Sequence, residues 1–538
     1  MKKMFLMMGG VLAAAAVMGG TTVAEGHESM AKGPFAPTWE SLGKNEAPEW
    51  FKEAKFGIWA HWGPQCVEGS GDWMARKMYI EGTPQWKYHR EHYGHQSEFG
   101  FKDVIPLFKA EKWEPEKLVA YYKSLGADYF FCLANHHDNF DLWDSKYQPW
   151  NSMNMGPKRD IVGEWALAAR RHGLKFGVSF HSDHAWTWYE PSRHYDRTGP
   201  KEGVPYDGML TKADGKGKWW EGYDPQDLYA QNHPESKDGW VENYGWTGWS
   251  WNKEKKAMPS EAYIQNYLDR TFDAVNRYRP DLVYLDTVVL PFTGVTERGL
   301  ELASHLYNTS VQNHGSQQSV LFAKMLGPQH RPALTLDVER GTPGKIMDEP
   351  WQTCSCLGDW HYKAEVYEKN RYKSAALVVK MLADIVSKNG KLLLSVPLRG
   401  DGTFDEKEKA ILDEFGAWMK TNGEAIKGTK PWKVFGEGPI AAKASGKESG
   451  DFNEGEIAKA GSEETRFTAK GGEVYAIVFG WPANCRIELK SFADCKVSDV
   501  DLLGYGAVRF KLQEGILSIE LPSDVKPMTV PIALRIKL

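Results

Sequence analysis

Apolar runs in this chain repeatedly end on a group that can hold or move a proton. Leu282, Val283, Tyr284 and Leu285 lead straight into Asp286, KFGIWA leads into His61 and Trp62, DYFFCLAN into His136, His137 and Asp138, LKFGVSF into His181, and TLDV into Glu339. A carboxylate exposed where a buried strand stops either does chemistry or caps the next helix. After Asp286 comes β-branched TVVLPF with Pro291, where no helix begins, so the chemical role is favoured. Glycoside hydrolysis needs two carboxyl groups, one to attack the anomeric carbon and one to donate and then withdraw a proton. Asp286 is the candidate nucleophile and Glu339 the candidate acid and base, with Asp337 and Glu349 as competitors for the second role. The alternative chemistry is metal-dependent hydrolysis through His61, His136, His137 and Asp138. Neighbours on a strand point to opposite faces, so His136 and His137 can share an ion only where the chain has left the sheet. No HExxH or comparable spacing is present, and no metal ligand is assigned.

These groups must be positioned by the elements they terminate. Eight apolar runs qualify as strands, beginning at Lys55, Asp128, Leu174, Asp281, Ser319, Ala333, Trp351 and Lys391. Between them lie amphipathic stretches such as WEPEKLVAYYKSLG, with Leu118, Tyr122 and Leu125 in helical spacing and Gly126 as a stop. Another is YIQNYLDRTFDAVNRYR, with Ile264, Leu268, Phe272 and Val275 on one face. Near-continuously apolar strands separated by helices predict a parallel sheet covered on both faces, and eight such units predict a TIM-like (β/α)8 barrel over residues 25–430. Residues 183–259 carry no sustained period and are rich in Trp and Gly, as expected of a long insertion on the active-site face. Past Pro431 the pattern turns to alternating runs such as GGEVYAIVFGWP and PIALRIKL, which predict a C-terminal β-sandwich over 431–538.

Composition narrows the partners. With 66 Lys and Arg against 71 Asp and Glu, the net charge is -5, and there is no long single-sign run for a polyanion. Nucleic acid is therefore not an expected partner. The 23 Trp, many in polar loops, suit stacking on sugar rings. The N-terminus, with Lys2 and Lys3, an apolar run and small residues up to Ala24, reads as a signal peptide over residues 1–24. The mature chain is thus expected to be periplasmic or extracellular, with no membrane attachment. Cys485 and Cys495 are read equally as a hairpin bridge or as two free thiols, and Cys354 and Cys356 as alternate residues of one strand.

WFKEAKFGIWAHWG, DWMARKMY, LVAYYKSLGADYFFCLANHHDNFDLWDS, LKFGVSF, KLLLSVP and NGEAIKGTKPW, in that order over residues 45 to 432, resemble the α-L-fucosidases of glycoside hydrolase family 29. The resemblance implies a TIM-like barrel with a C-terminal β-sandwich, hydrolysis with retention and no metal cofactor. It places Asp286 at the family's nucleophile position and His61, His136, His137 and Trp73 at sugar contacts; for Glu339 it gives only loose support. Asp72, His181, Tyr284 and Trp351 complete the candidate substrate contacts. The chain departs from the family pattern at Asp72 for Glu, Asn139 for Gly, Tyr284 for Trp and Ser395 for Asn, while His181 lies near a tyrosine pair. Each of these touches the pocket wall or its support. The expected substrate is a fucose-containing glycan. Two further readings are an α-L-galactosidase, since such a pocket rejects an added hydroxyl only by about a hundredfold unless shaped against it, and a catalytically silent sugar-binding protein. The Trp-rich insertion, including Trp186, Trp188, Trp219, Trp220 and Trp246, either builds further sugar subsites or packs on the barrel. The oligomeric state is not legible in the sequence.

Overall fold

The computed structural model describes residues 26–237, 250–444, 446, 452–525 and 527–538. The signal peptide expected over residues 1–24 and Trp246 lie outside these residues. Eight strands form a closed barrel: β1 Phe56–Ala60, β2 Tyr129–Leu133, β3 Lys175–Phe180, β4 Leu282–Val288, β5 Val320–Lys324, β6 Thr335–Glu339, β7 Trp351–Cys356 and β8 Gly390–Ser395. Every neighbouring pair is parallel, and β8 returns to pair with β1, Trp59 opposite Ser395. Each strand coincides with one of the apolar runs read from the sequence, β4 running two residues past DLVYLD and β8 starting one residue before Lys391. Helices α1 Pro115–Ser124, α2 Ile161–Arg171, α3 Glu261–Tyr278, α4 Gly299–His314, α5 Ala375–Ser387 and α6 Glu406–Asn422 surround it. α3 begins where Ser260 accepts from the Tyr263 N–H, and it buries Ile264, Leu268, Phe272 and Val275, the face its spacing predicts.

The barrel is filled by aromatic rings seated over glycines. A Cβ on Gly57 would stand 2.2 Å from the Tyr129 ring, and one on Gly177 2.6 Å from the Phe131 ring. The inner face follows the two-residue period of a strand. Trp59, Tyr284 and Asp337 occupy a deeper layer, where the Trp59 and Tyr284 rings are 4.7 Å apart and the Tyr284 hydroxyl lies 3.5 Å from Asp337 Oδ1. Two residues further along the chain, His61, Asp286 and Glu339 form the layer above. β4 and β5 lose their regular register here, with Tyr284 opposite Phe322 but Val288 opposite Lys324. Four residues of β4 therefore advance against two of β5, an irregularity of the kind that re-aims a side chain. Asp286 lies inside it and is brought to face Lys324.

Strands β9 Lys430–Glu437, β10 Thr465–Lys470, β11 Glu473–Val478, β12 Arg486–Leu489, β13 Asp499–Leu502, β14 Gly506–Ala507, β15 Arg509–Gln513, β16 Ile516–Glu520 and β17 Ile532–Lys537 build the C-terminal part. They form a six-stranded sheet in the order β14-β13-β17-β11-β10-β9 and a three-stranded sheet in the order β12-β16-β15. Phe467, Val474 and Leu534 of the first pack against Leu489, Leu517 and Ile519 of the second. A buried ion network ties this part to the barrel. Arg466 on β10 donates to Asp384 on α5 at 2.6 Å and to Glu464 at 2.7 Å, and Lys388 donates to Asp384 at 2.8 Å. Cys485 and Cys495 are both free thiols, which resolves the two readings left by the sequence.

Within 183–259 the described residues form short helical turns. Trp188 and Trp220 are buried, and Trp186 stacks on His233 with ring centroids 4.1 Å apart. Trp188 stands 6.1 Å from the Trp73 ring, and Trp219 is half exposed. These described tryptophans pack on the barrel or back its loops, and none of them lines the sugar-sized cavity at the barrel mouth.

Candidate active site

At the C-terminal end of the strands, where catalytic groups collect in barrels of this type, lies a cavity of about 250 Å³. His61, Asp72, Trp73, His136, His181, Tyr284, Asp286 and Glu339 line it together with Trp59, Lys324, Trp360 and Phe452. Eight of the ten site residues selected from the sequence therefore meet in one cavity. His137 lies immediately behind its wall, with Nε2 3.2 Å from Asp286 Oδ2.

Trp351 does not belong to the site. It begins β7 rather than ending it, pairs with Gly390 at the start of β8 and donates from Nε1 to the Lys388 carbonyl at 2.9 Å. That places it at the opposite mouth of the barrel. The aromatic group that follows the end of β7 is Trp360, and its ring is 5.1 Å from that of His61.

One ammonium joins the two carboxylates. Lys324 Nζ donates to Asp286 Oδ1 at 2.5 Å and to Glu339 Oε2 at 2.6 Å. The nearest oxygens of the two acids are thus at most about 5.1 Å apart. Retaining glycosidases hold their carboxyl pair roughly 5–5.5 Å apart and inverting ones roughly 6.5–9.5 Å, so a separation of at most about 5.1 Å falls short of the inverting range. His181 Nδ1 approaches Asp286 Oδ2 at 3.1 Å. Burial alone would raise the Asp286 carboxyl, but Lys324, then His181 and His137, more than reverse this and hold it well below the usual carboxylate range. Glu339 goes the other way. Burial pushes it up, Lys324 opposes, and the Asp286 charge adds to the rise. The two carboxyls are thereby shifted in opposite directions, the separation that dividing a pair into a base and an acid requires.

The competing carboxyls are placed elsewhere. Asp337, pushed up to about 7 chiefly by burial, lies one layer deeper and accepts from Gln352 at 2.8 Å and from the Cys354 thiol at 2.9 Å. Glu349 is exposed in the loop that leads into the start of β7. Neither lines the cavity.

The imidazoles form the rest of the wall. Burial lowers His61 and His136 well below the ordinary histidine value and His181 to about 4, so all three are neutral near pH 7. Asp72 receives His361 Nδ1 at 2.7 Å. Burial works against its charge, and His361, then Lys77 and His137, together more than compensate, leaving it below the usual range. Ser395 Oγ lies 3.3 Å from His61 Nδ1. Asn139 takes a left-handed backbone, φ 61°, which explains how Asn serves where the family has Gly. Trp59 Nε1 and His181 Nε2 are buried without a hydrogen-bond partner among the described residues, the kind of group that can meet a sugar hydroxyl.

Metal-sized groupings are present within the same wall: His61, His136 and His181; Asp72, His136 and His361; and His137, His181 and Asp286, each set with ligand atoms within 4.8 Å of one another. The set considered from sequence, His61, His136, His137 and Asp138, is not among them, and Asp138 accepts from the Phe140 N–H at 3.3 Å.

Lys324 was legible in principle, since it ends the apolar run VLFA as Asp286 ends LVYL. Trp59 was equally legible, two residues before His61 on the same inward face. Trp360 and Phe452 carried no comparable signal.

Comparison with known proteins decides the relationship. The family described as alpha-L-fucosidase matches residues 22–424, and the alpha-L-fucosidase C-terminal domain matches residues 460–538. The chain belongs to the α-L-fucosidase family. It is 26% identical to human tissue alpha-L-fucosidase over 514 residues, covering 92% of this chain and 90% of that protein. It is likewise 26% identical to an alpha-L-fucosidase of Branchiostoma floridae, covering 88% of each. Among solved structures, the alpha-fucosidase of Thermotoga maritima in complex with a mechanism-based inhibitor is 25% identical with a TM-score of 0.66, covering 94% of this chain and all of that one. The same enzyme in complex with fucose has a TM-score of 0.64, at 25% identity and 93% coverage of this chain. The closed parallel barrel and the C-terminal antiparallel sheets are the architecture shared with these fucosidases.

Proposed function

We propose that the protein is a retaining, exo-acting α-L-fucosidase that removes terminal α-L-fucosyl residues by double displacement, with Asp286 as nucleophile and Glu339 as acid and base. The observation that carries the pairing of these two acids is the Lys324 ammonium held at 2.5 and 2.6 Å between them. In the first step an Asp286 oxygen attacks the anomeric carbon while Glu339 gives its proton to the departing glycosidic oxygen. A covalent fucosyl-enzyme results. In the second step Glu339 takes a proton from water, the water oxygen bonds to the anomeric carbon, and Asp286 leaves as a carboxylate. A cavity of about 250 Å³ closed by Trp59, Trp73, Trp360 and the imidazoles suits one terminal sugar. The α-L-galactosidase and silent-binder readings are not favoured by the relatives, which are named fucosidases.

The test is proton NMR of the first-formed product from an aryl α-L-fucoside. The α-anomer is expected, and the β-anomer would overturn the retaining assignment. The N-terminal leader supports export to the periplasm or the medium. Intact-mass measurement of protein recovered outside the cytoplasm should show a chain beginning after Ala24, and a full-length cytoplasmic chain would refute this.

A further inference from the structure

The connection between β9 and β10 does not stay with the C-terminal sheets. Its residues 452–454 lie along the end of β6, where the Phe452 N–H donates to the Glu339 carbonyl at 2.9 Å and the Glu454 N–H to the Arg340 carbonyl at 3.0 Å. Side chains clamp the segment in place. Arg340 Nε donates to Glu454 Oε1 at 2.8 Å, Ser355 Oγ to Glu454 Oε2 at 2.6 Å, and Lys373 reaches the same carboxylate at 3.2 Å. Asn453 exchanges two bonds of 2.9 Å with the backbone of Thr342. The result of all this anchoring is a phenylalanine that is 45% exposed, in a left-handed backbone at φ 56°, on the rim of the active-site cavity. A bulky residue at positive φ is held there only when its surroundings demand it.

We propose that Phe452 is the platform of a leaving-group subsite that binds the sugar ring from which fucose is cleaved. The inference rests on the fucosidase reading above. Glu339 must reach the glycosidic oxygen, so the departing ring begins beside Glu339 and extends outward across the cavity rim. Phe452, whose N–H is bonded to the Glu339 backbone carbonyl, is an aromatic surface fixed on that rim and the most exposed of those lining the cavity. Its ring offers an electron-rich face to the C–H face of a pyranose. The C-terminal part of the chain thus supplies substrate selectivity to the barrel.

The experiment compares kcat/KM for an α-L-fucosyl-galactose disaccharide with that for α-L-fucosyl fluoride, whose leaving group is one atom. Phe452→Asn removes the ring and suits the left-handed backbone, and Phe452→Tyr keeps the ring. The disaccharide-to-fluoride ratio should fall about tenfold in Phe452→Asn and stay within twofold of the parent in Phe452→Tyr. An unchanged ratio in Phe452→Asn overturns the subsite. Absence of fluoride hydrolysis by the parent enzyme would instead overturn the fucosidase reading on which the subsite depends.

Discussion

Replacing Lys324 by Met removes the ammonium that both acids share while keeping a side chain of similar length. Two unit charges 4 Å apart interact by about 4 kcal/mol at the effective dielectric of a protein site, and one pKa unit corresponds to about 1.4 kcal/mol. Loss of the lysine should therefore raise the apparent pKa values of the carboxyl pair by up to about three units. The sign is the same for both steps, because the ammonium stabilises each carboxylate form. Turnover requires the pair to hold one proton, so kcat/KM rises through the lower apparent pKa and falls through the upper one. Both limbs of the pH profile should move to higher pH, and the variant should lose more activity at acidic than at alkaline pH. Lys324→Arg, which keeps the charge, should hold both limbs near their parental positions. The assay is kcat/KM on an aryl α-L-fucoside from pH 3 to 10. Limbs that stay within half a unit in Lys324→Met would refute the claim that this lysine sets the protonation of the pair.

Three further outcomes follow from the same geometry. Asp286→Ala should abolish turnover of an aryl α-L-fucoside, measured by release of the aryl group, and near-normal release would remove Asp286 from the nucleophile role. Glu339→Gln should cost about 10²- to 10⁴-fold in kcat/KM on a sugar leaving group, and much less on fucosyl fluoride, which needs no proton to depart; equal losses on both would show that Glu339 is not the acid. Asp384→Asn leaves Arg466 and Lys388 buried without their shared anion, and urea unfolding should register a loss of about 3–5 kcal/mol. Since Asp384 is held well below the usual range, against burial, by Lys388 and Arg466, its contribution is present above the unfolded carboxyl pKa of about 3.9 and is lost as the pH falls through the folded value. An acid-unfolding midpoint unchanged by the substitution would contradict this.

The barrel was readable because its determinants are local. A run such as DLVYLD states in six residues that a strand is buried and that it ends on a charge, and the two-residue period carries that charge to the same inner face as Tyr284. Eight such runs with helices between them leave little choice of architecture. Asp286, Glu339 and the strand-end histidines were selected on that basis, and the cavity gathers all of them except His137, which stands just behind its wall. Trp351 was misplaced because an aromatic residue at the edge of a strand does not say which end of the barrel it occupies; only its pairing with Gly390 at the start of β8 does. The choice of Glu339 over Asp337 and Glu349 also needed three dimensions. Asp337 shares the inward face of β6 but lies one layer too deep, and Glu349 stands before a strand instead of after one. The bridging role of Lys324 depends on the irregular pairing of β4 with β5, which arises between strands distant in sequence. Phe452 was the least accessible of all. It belongs to a connection in the C-terminal part, and its place beside Glu339 comes from backbone and side-chain bonds to the loop after β6, contacts that no local pattern encodes. Local periodicity thus determined which residues face inward and where strands stop, while long-range pairing decided which acid meets the lysine and which aromatic ring stands at the mouth.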